Sequence, residues 1–131
     1  MRVQTPKVET NKYGVNKAIT YNILPENEMR KIGFTDHNSA SWYFCKSIKF
    51  PKNKKYRGSD ITFNVVIPKK IGELDISVLD EWFGQPYDYQ RMLVNNPDFD
   101  ICLIVKEQVE EWMEYLQYEG VLEGHIYGEY V

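Results

Sequence analysis

The chain has 131 residues, of which 43% are hydrophobic and 15% aromatic, and its formal net charge is −3. This length and apolar content indicate one folded domain and exclude an intrinsically disordered chain. The longest unbroken apolar run, 101–105, is too short to cross a membrane, and no segment resembles a signal peptide, so a cytoplasmic protein is expected.

Charge is distributed unevenly along the sequence. Residues 1–65 carry 12 Lys and Arg against 5 Asp and Glu, a net charge of +7, whereas residues 66–131 carry 4 against 14, a net charge of −10. The basic half could attract phosphate groups that the acidic half would repel. Alternatively, the two halves could attract each other within the fold or between identical chains.

The first half of the chain predicts an arm, a helix and three strands. Residues 1–16 lack periodicity and predict an extended N-terminal arm, followed by a single α+β domain over 17–131. β-forming residues predict a strand over 17–24, and Pro25 and Gly33 suit the two ends of a short helix between them. Alternating apolar residues predict further strands over 41–50 and 60–67.

The second half predicts a strand, a junction and two helices. A strand begins at Leu74, and the break over 83–86 precedes a helix in whose first turn Pro86 is expected. After a second break at 95–97, a long amphipathic helix should run to about Glu119, with an acidic face of Glu107, Glu110, Glu111 and Glu114. The tail 121–131 predicts a turn and a final strand.

These elements predict an α+β fold. A small antiparallel β-sheet of three to five strands would be joined by a short helix and a long C-terminal amphipathic helix packed on one face. The short connections between the three successive strands favour a meander.

The sequence contains no motif of an enzyme or a metal site. It has no glycine-rich phosphate loop, no nucleophile elbow and no HExxH. His37 could be a general base and Cys45 a nucleophile, but no partner is placed near either of them. A solvated loop histidine and two buried thiols, Cys45 and Cys102, are the simpler interpretation. We therefore expect a non-enzymatic protein without cofactor or metal.

Two adjacent carboxylates, Asp80 and Glu81, stand at the end of the Leu74 strand. They could bind a metal, but neighbouring residues on a strand point to opposite faces. A role for one of them in starting the following helix is favoured.

Two segments could bind a ligand. The basic stretch over 46–57 contains Arg57, whose guanidinium can donate two hydrogen bonds to a phosphate, although its lysines could simply protect a sheet edge. The junction contains aromatic rings that could stack on a base, with amide and carboxylate groups for a sugar or base edge. The candidate ligand-binding residues are Arg57, Phe83, Gln85, Tyr87, Asp88, Arg91 and Asn95.

The junction residues could instead have a purely structural role and bind no ligand. In that case Phe83 and Tyr89 would pack under the long helix, while Asp88 and Gln90 would cap neighbouring backbone.

The junction sequence Val78-Leu-Asp-Glu-x-Phe-x-Gln-Pro-Tyr-Asp-Tyr-Gln90 resembles small proteins encoded by phages and prophages of Gram-positive bacteria. The likeness covers nearly the whole chain, including 21–25, 33–37, 42–45, 109–116 and 124–130. The size, strand meander and C-terminal helix are also similar to those of the phage anti-Thoeris sponges, which sequester cyclic ADP-ribose isomers as oligomers. The resemblance implies a counter-defence factor in the bacterial host cytoplasm that sequesters a nucleotide-derived immune signal, either a cyclic ADP-ribose isomer or a cyclic oligonucleotide.

Two other functions are open from the sequence. The acidic helix face could dock a basic host or phage protein, with Tyr115 and Tyr118 as candidate anchors. Duplex DNA binding through the basic stretch is disfavoured, because the acidic half opposes it.

The edges of the predicted sheet bear on how the chain assembles. Aromatic strands with uncovered edges predict a homo-oligomer, a dimer at least, in which the terminal segment 126–131 covers one edge.

Overall fold

The computed structural model of the protein describes residues 3–4, 19–36, 39–51, 60–70 and 72–125. In chain order the elements of these residues are β1 (Val3–Gln4), β2 (Thr20–Ile23), α1 (Glu26–Ile32), β3 (Ser41–Ser47), β4 (Ile61–Pro68), β5 (Asp75–Asp80), β6 (Gln85–Pro86), α2 (Tyr89–Asn95), α3 (Asp100–Tyr118) and β7 (Leu122–Glu123). An antiparallel sheet has the order β3-β4-β5-β6, and a second sheet has the order β1-β2-β7. The α+β class is confirmed, with a meander from β3 to β6.

One face of the four-stranded sheet carries the hydrophobic core. Phe44 of β3 lies opposite Val65 of β4, which in turn lies opposite Ile76 of β5, and all three side chains are buried. Because side chains alternate between the two faces of a strand, the apolar alternation of the sequence places these residues on one face. Helix α3 packs against this face, with the ring of Trp112 centred 5.5 Å from that of Phe44.

Polar contacts fasten α3 to the rest of the core. The Gln108 side chain accepts a hydrogen bond from the backbone N–H of Lys49 at 2.7 Å and donates one to the Lys49 carbonyl at 2.6 Å. The Tyr115 hydroxyl donates to the carbonyl of Ile32, at the end of α1, at 2.7 Å. The long helix is therefore held both to the segment that follows β3 and to α1.

The segment that follows α3 pairs with β2, and Asn22 of β2 forms hydrogen bonds with it. The Asn22 backbone N–H donates to the Val121 carbonyl at 2.8 Å. Its side-chain amide donates to the Gly120 carbonyl at 2.9 Å and to Glu123 Oε2 at 3.3 Å. A single buried side chain thus connects the end of α3 to β7.

The expected position of Pro86 is wrong. A turn over residues 81–84 connects β5 to β6, and these two strands pair antiparallel. In this pairing Pro86 lies opposite Leu79. α2 begins only at Tyr89, after Asp88, whose side chain accepts a hydrogen bond from the backbone N–H of Arg91. Proline is compatible with this position because an edge strand has no neighbour on one side that needs its missing N–H.

The two cysteines differ in their environment. Cys102 is buried, as expected, but Cys45 is exposed, and the expectation of a buried thiol there is wrong. Cys45 follows Phe44 on β3 and therefore points to the opposite face of the sheet. The residue is exposed, but partial desolvation of its sulfur, followed by the charge of Glu81, raises the pKa of the Cys45 thiol.

Several expectations concern residues outside the described ranges: His37, Arg57 with the rest of the basic stretch after residue 51, and the terminal segment 126–131. Of the predicted N-terminal arm, Val3–Gln4 pairs with β2. None of the helices in the described ranges is long and apolar enough to cross a membrane.

Candidate functional site

The candidate site centres on the aromatic turn, residues 81–84 between β5 and β6. Asp80 Oδ1 accepts hydrogen bonds from the backbone N–H groups of Trp82 at 3.1 Å and Phe83 at 3.3 Å. Gly84 completes the turn at φ 65°, in the left-handed region that favours glycine. The turn backbone is held in this way, while the side chains of Trp82 and Phe83 are 74% and 70% exposed.

The aromatic turn is joined to the start of β4. The Glu81 backbone N–H donates to the Asp60 carbonyl at 2.8 Å, and the Thr62 hydroxyl donates to Glu81 Oε2 at 3.0 Å. Asp60, whose carbonyl accepts the first of these bonds, directly follows the basic residues 52–59 in the sequence. The expected helix-starting role of Asp80 or Glu81 is wrong, since both residues organise this turn instead.

The structure brings together only part of the predicted site. Phe83 and Gln85 are both exposed, at the turn and in the strand that follows it. Tyr87 is half-buried, and its hydroxyl lies 3.5 Å from Cys102 Sγ; burial raises the pKa of its phenol. Tyr87 therefore contacts α3 and is not an open stacking platform.

The remaining predicted site residues lie on α2. Asp88 caps the helix, and its Oδ2 also lies 3.3 Å from Nε of Arg91, whose side chain is largely exposed. Asn95 is the exposed last residue of the helix. The structural interpretation is correct for Asp88 as a cap and for Tyr89, which is buried, but wrong for Phe83, which is exposed, and for Gln90, which is buried within α2.

A buried contact between a carboxylate and an imidazole lies between α3 and the segment that follows β7. Glu110 Oε2 is 2.8 Å from His125 Nε2, and both side chains are only 2% exposed. The expected acidic face is therefore wrong at Glu110, whose carboxylate is turned inward because His125 meets it there. The His125 backbone N–H also donates to Gln117 Oε1 at 2.9 Å, which fixes this segment along α3.

Tyr89 is a third member of this buried region. Burial, followed by the charge of Glu110, raises the pKa of its phenol. The phenol therefore stays protonated in the folded chain at pH values at which an exposed tyrosine ionises.

The raised pKa of Tyr89 predicts that the folded protein loses stability at alkaline pH. Above the ordinary tyrosine pKa of about 10, the unfolded chain binds fewer protons than the folded chain, so stability should fall by up to about 1.4 kcal/mol per pH unit for this group. Tyr89→Phe should remove that contribution, and urea denaturation of both proteins at pH 9 and pH 11 would measure it. If the difference in stability between the two proteins is the same at both pH values, Tyr89 does not titrate in this way.

Two features of the structure carry no clear signal in the sequence. Trp82 lies between Glu81 and Phe83 in the sequence, and the spacing of apolar residues around it does not distinguish it from a core residue. The contact between Glu110 and His125 joins positions 15 residues apart, beyond the reach of helical periodicity. In the described ranges no cluster of three or more His, Cys, Asp and Glu side chains could hold a metal ion.

Comparisons with known proteins extend the description of the fold. No family model matches the sequence, and no curated protein matches it. The chain is similar to the crystal structure of a DUF1831 family protein from Lactobacillus plantarum, with a TM-score of 0.58 and 14% identity over 91% of this chain and 95% of that chain. At this identity the likeness shows a shared fold alone: a small α+β domain whose antiparallel sheet is covered by a long helix.

Proposed function

We propose that this chain is a non-catalytic binding protein whose recognition surface is the aromatic turn. The observation that carries the proposal is the exposure of two adjacent large rings, Trp82 and Phe83, on a backbone that Asp80 holds in place. Exposed aromatic residues of this kind are typical of binding surfaces. A fixed backbone adds to affinity, because less conformational freedom is lost when a ligand binds.

The proposed ligand is an anionic, nucleotide-derived small molecule. An aromatic face stacks on any base, and each such contact contributes about 1–3 kcal/mol. The exposed amide of Gln85 offers a donor and an acceptor for a base edge. Residues 52–59 carry four Lys and Arg, whose charge would attract the phosphates, as would the exposed guanidinium of Arg91.

The biological setting of the proposal comes from the resemblance to phage and prophage proteins. In that setting the protein is a cytoplasmic homo-oligomer that removes an immune signal from the host, either a cyclic ADP-ribose isomer or a cyclic oligonucleotide. Sequestration requires tight binding and slow release and needs no turnover.

Binding of a nucleotide should stabilise the wild-type protein. At about 100 times its dissociation constant, a ligand adds about 2.7 kcal/mol to the free energy of unfolding, which a thermal shift assay detects. Trp82→Ala or Phe83→Ala should weaken binding by about 1–3 kcal/mol, or about 5- to 150-fold, because one stacking face is lost. Isothermal titration calorimetry of the ligand found by the thermal screen would measure this loss.

The matched control is Tyr118→Ala. Tyr118 is 88% exposed on α3, so its removal tests the loss of a surface ring in a different place. Its affinity should equal that of the wild type. A panel of cyclic ADP-ribose isomers and cyclic oligonucleotides with no effect on the melting temperature would overturn the proposed ligand class.

A protein partner is the second candidate. The rings of Trp82 and Phe83 are largely exposed, and among the described residues beyond its chain neighbours none meets the position that a Cβ of Gly84 would take, so these two rings could enter a pocket of another protein. The acidic face of α3 is a weaker surface for such a partner, because Glu110 is buried and the hydroxyl of Tyr115 is bound to α1. A stoichiometric host protein that is captured by the wild type and lost with Trp82→Ala, without any nucleotide effect, would favour this second function.

A further inference from the structure

A cavity lies where α1 approaches the C-terminal end of α3, among elements that take no part in the aromatic turn. Its volume is about 270 Å³, and it is lined by Leu24, Glu28, Lys31, Ile32 and Glu119. The lining combines two aliphatic side chains with three charged ones. Such a combination favours a small amphipathic molecule over a purely polar one.

The walls of this cavity are fixed by contacts on both sides. The Tyr115 hydroxyl donates a hydrogen bond to the Ile32 carbonyl at 2.7 Å, and this bond fixes the end of α1 against α3. On the other side, the Asn22 side-chain amide donates a hydrogen bond to the carbonyl of Gly120, the residue that follows Glu119. Leu24 itself belongs to the buried core, so the aliphatic part of the lining is anchored.

The charges around the cavity favour a cation. Glu119 is the C-cap of α3, a helix of 19 residues whose C-terminal end carries partial negative charge. Glu28 in the first turn of α1 and Lys31 in its last turn each offset the partial charge of their own helix end, and the lining as a whole carries two carboxylates against one ammonium group. Within the described part of the chain neither Glu28 nor Glu119 forms an ion pair through its side chain, so both carboxylates are available to a ligand.

We propose that this cavity binds a primary aliphatic amine, with its ammonium group against Glu28 and Glu119 and its aliphatic stem against Leu24 and Ile32. A carboxylate ligand of the same length would be repelled by the two glutamates. An alcohol of the same length would keep the contact of the stem but lose the attraction of the charges.

The test is a titration of the ¹⁵N-labelled full-length protein with n-butylamine hydrochloride, followed by amide chemical shifts. Saturable shifts in the millimolar range are expected at Leu24, Ile32 and Glu119. At matched ionic strength, butan-1-ol and butyrate should produce much smaller changes at the same amides. Glu119→Gln and Glu28→Gln should each weaken the binding of butylamine about two- to fivefold, which is the range for an exposed ion pair.

Glu107→Gln is the matched control, since it removes an exposed carboxylate from α3 away from the cavity. Its dissociation constant for butylamine should equal that of the wild type. Equal responses to butylamine and butan-1-ol, shifts that never saturate, or unchanged affinity in both Glu119→Gln and Glu28→Gln would each overturn the proposal. The spectrum of each unliganded variant shows whether it remains folded, so that loss of binding is not confused with loss of structure.

Discussion

Glu110→Ala is expected to lower the free energy of unfolding by about 3–5 kcal/mol, because it leaves His125 enclosed without the carboxylate that meets it. Both side chains of this contact are 2% exposed and 2.8 Å apart, so water cannot easily replace the lost partner. Small domains are stable by only about 5–15 kcal/mol, and this single change would therefore remove a large share of the total. Urea denaturation followed by circular dichroism would measure it.

The neighbouring residue provides the control for this prediction. Glu111 is exposed on the same helix, and Glu111→Ala should change stability by no more than about 0.5 kcal/mol. Hydrogen exchange adds a local readout, because amides over 121–125 should lose protection in Glu110→Ala if the contact holds that segment on α3. A loss of stability below about 1 kcal/mol would show that the contact contributes little.

Phe44→Ala is the second substitution with a large expected effect, a loss of about 3–5 kcal/mol. The Phe44 ring is centred 5.1 Å from that of Phe34, 6.5 Å from Phe63, 5.5 Å from Trp112 and 6.4 Å from Tyr115. The side chain therefore joins the segment after α1, the centre of the sheet and α3. Its removal opens a cavity that these elements cannot all close.

Tyr43→Ala tests the specificity of that effect. Tyr43 precedes Phe44 on β3 and lies on the other face of the sheet, where its side chain is partly exposed. Its truncation should be clearly less damaging than that of Phe44. If the two variants unfold at the same urea concentration, the core is not organised around Phe44.

The sequence could predict those parts of the fold that depend on local spacing. Alternation along β3 and β4 identifies Phe44 and Val65 as inward-facing, and the periodicity of α3 identifies its apolar face. Predictions failed where a distant contact decides the outcome. Helical spacing assigns Glu110 to solvent, whereas His125 brings it into the interior. Proline rules assign Pro86 to a helix start, whereas its pairing with Leu79 makes it a strand residue.

The same limit applies to the candidate site. The sequence places Phe83 and Gln85 at a break between two elements, but it leaves open whether Phe83 is exposed or packs under α3. The contacts of Tyr87 with Cys102 and of Arg91 with Asp88 could not be foreseen, since they depend on how α2 packs and begins. Trp82 was not distinguished, because a tryptophan near a strand is as compatible with a core as with a surface.

Under the proposed function, the aromatic turn separates the residues that recognise a ligand from those that the fold requires. The backbone of the turn depends on the carboxylate of Asp80 and on the positive φ of Gly84, while Trp82 and Phe83 contribute mainly their exposed rings. Other residues could therefore replace those at positions 82 and 83, and change the proposed binding preference, without rebuilding the sheet. By the same logic, a library randomised at these two positions, with Asp80 and Gly84 kept, should yield mostly folded proteins with altered binding preferences.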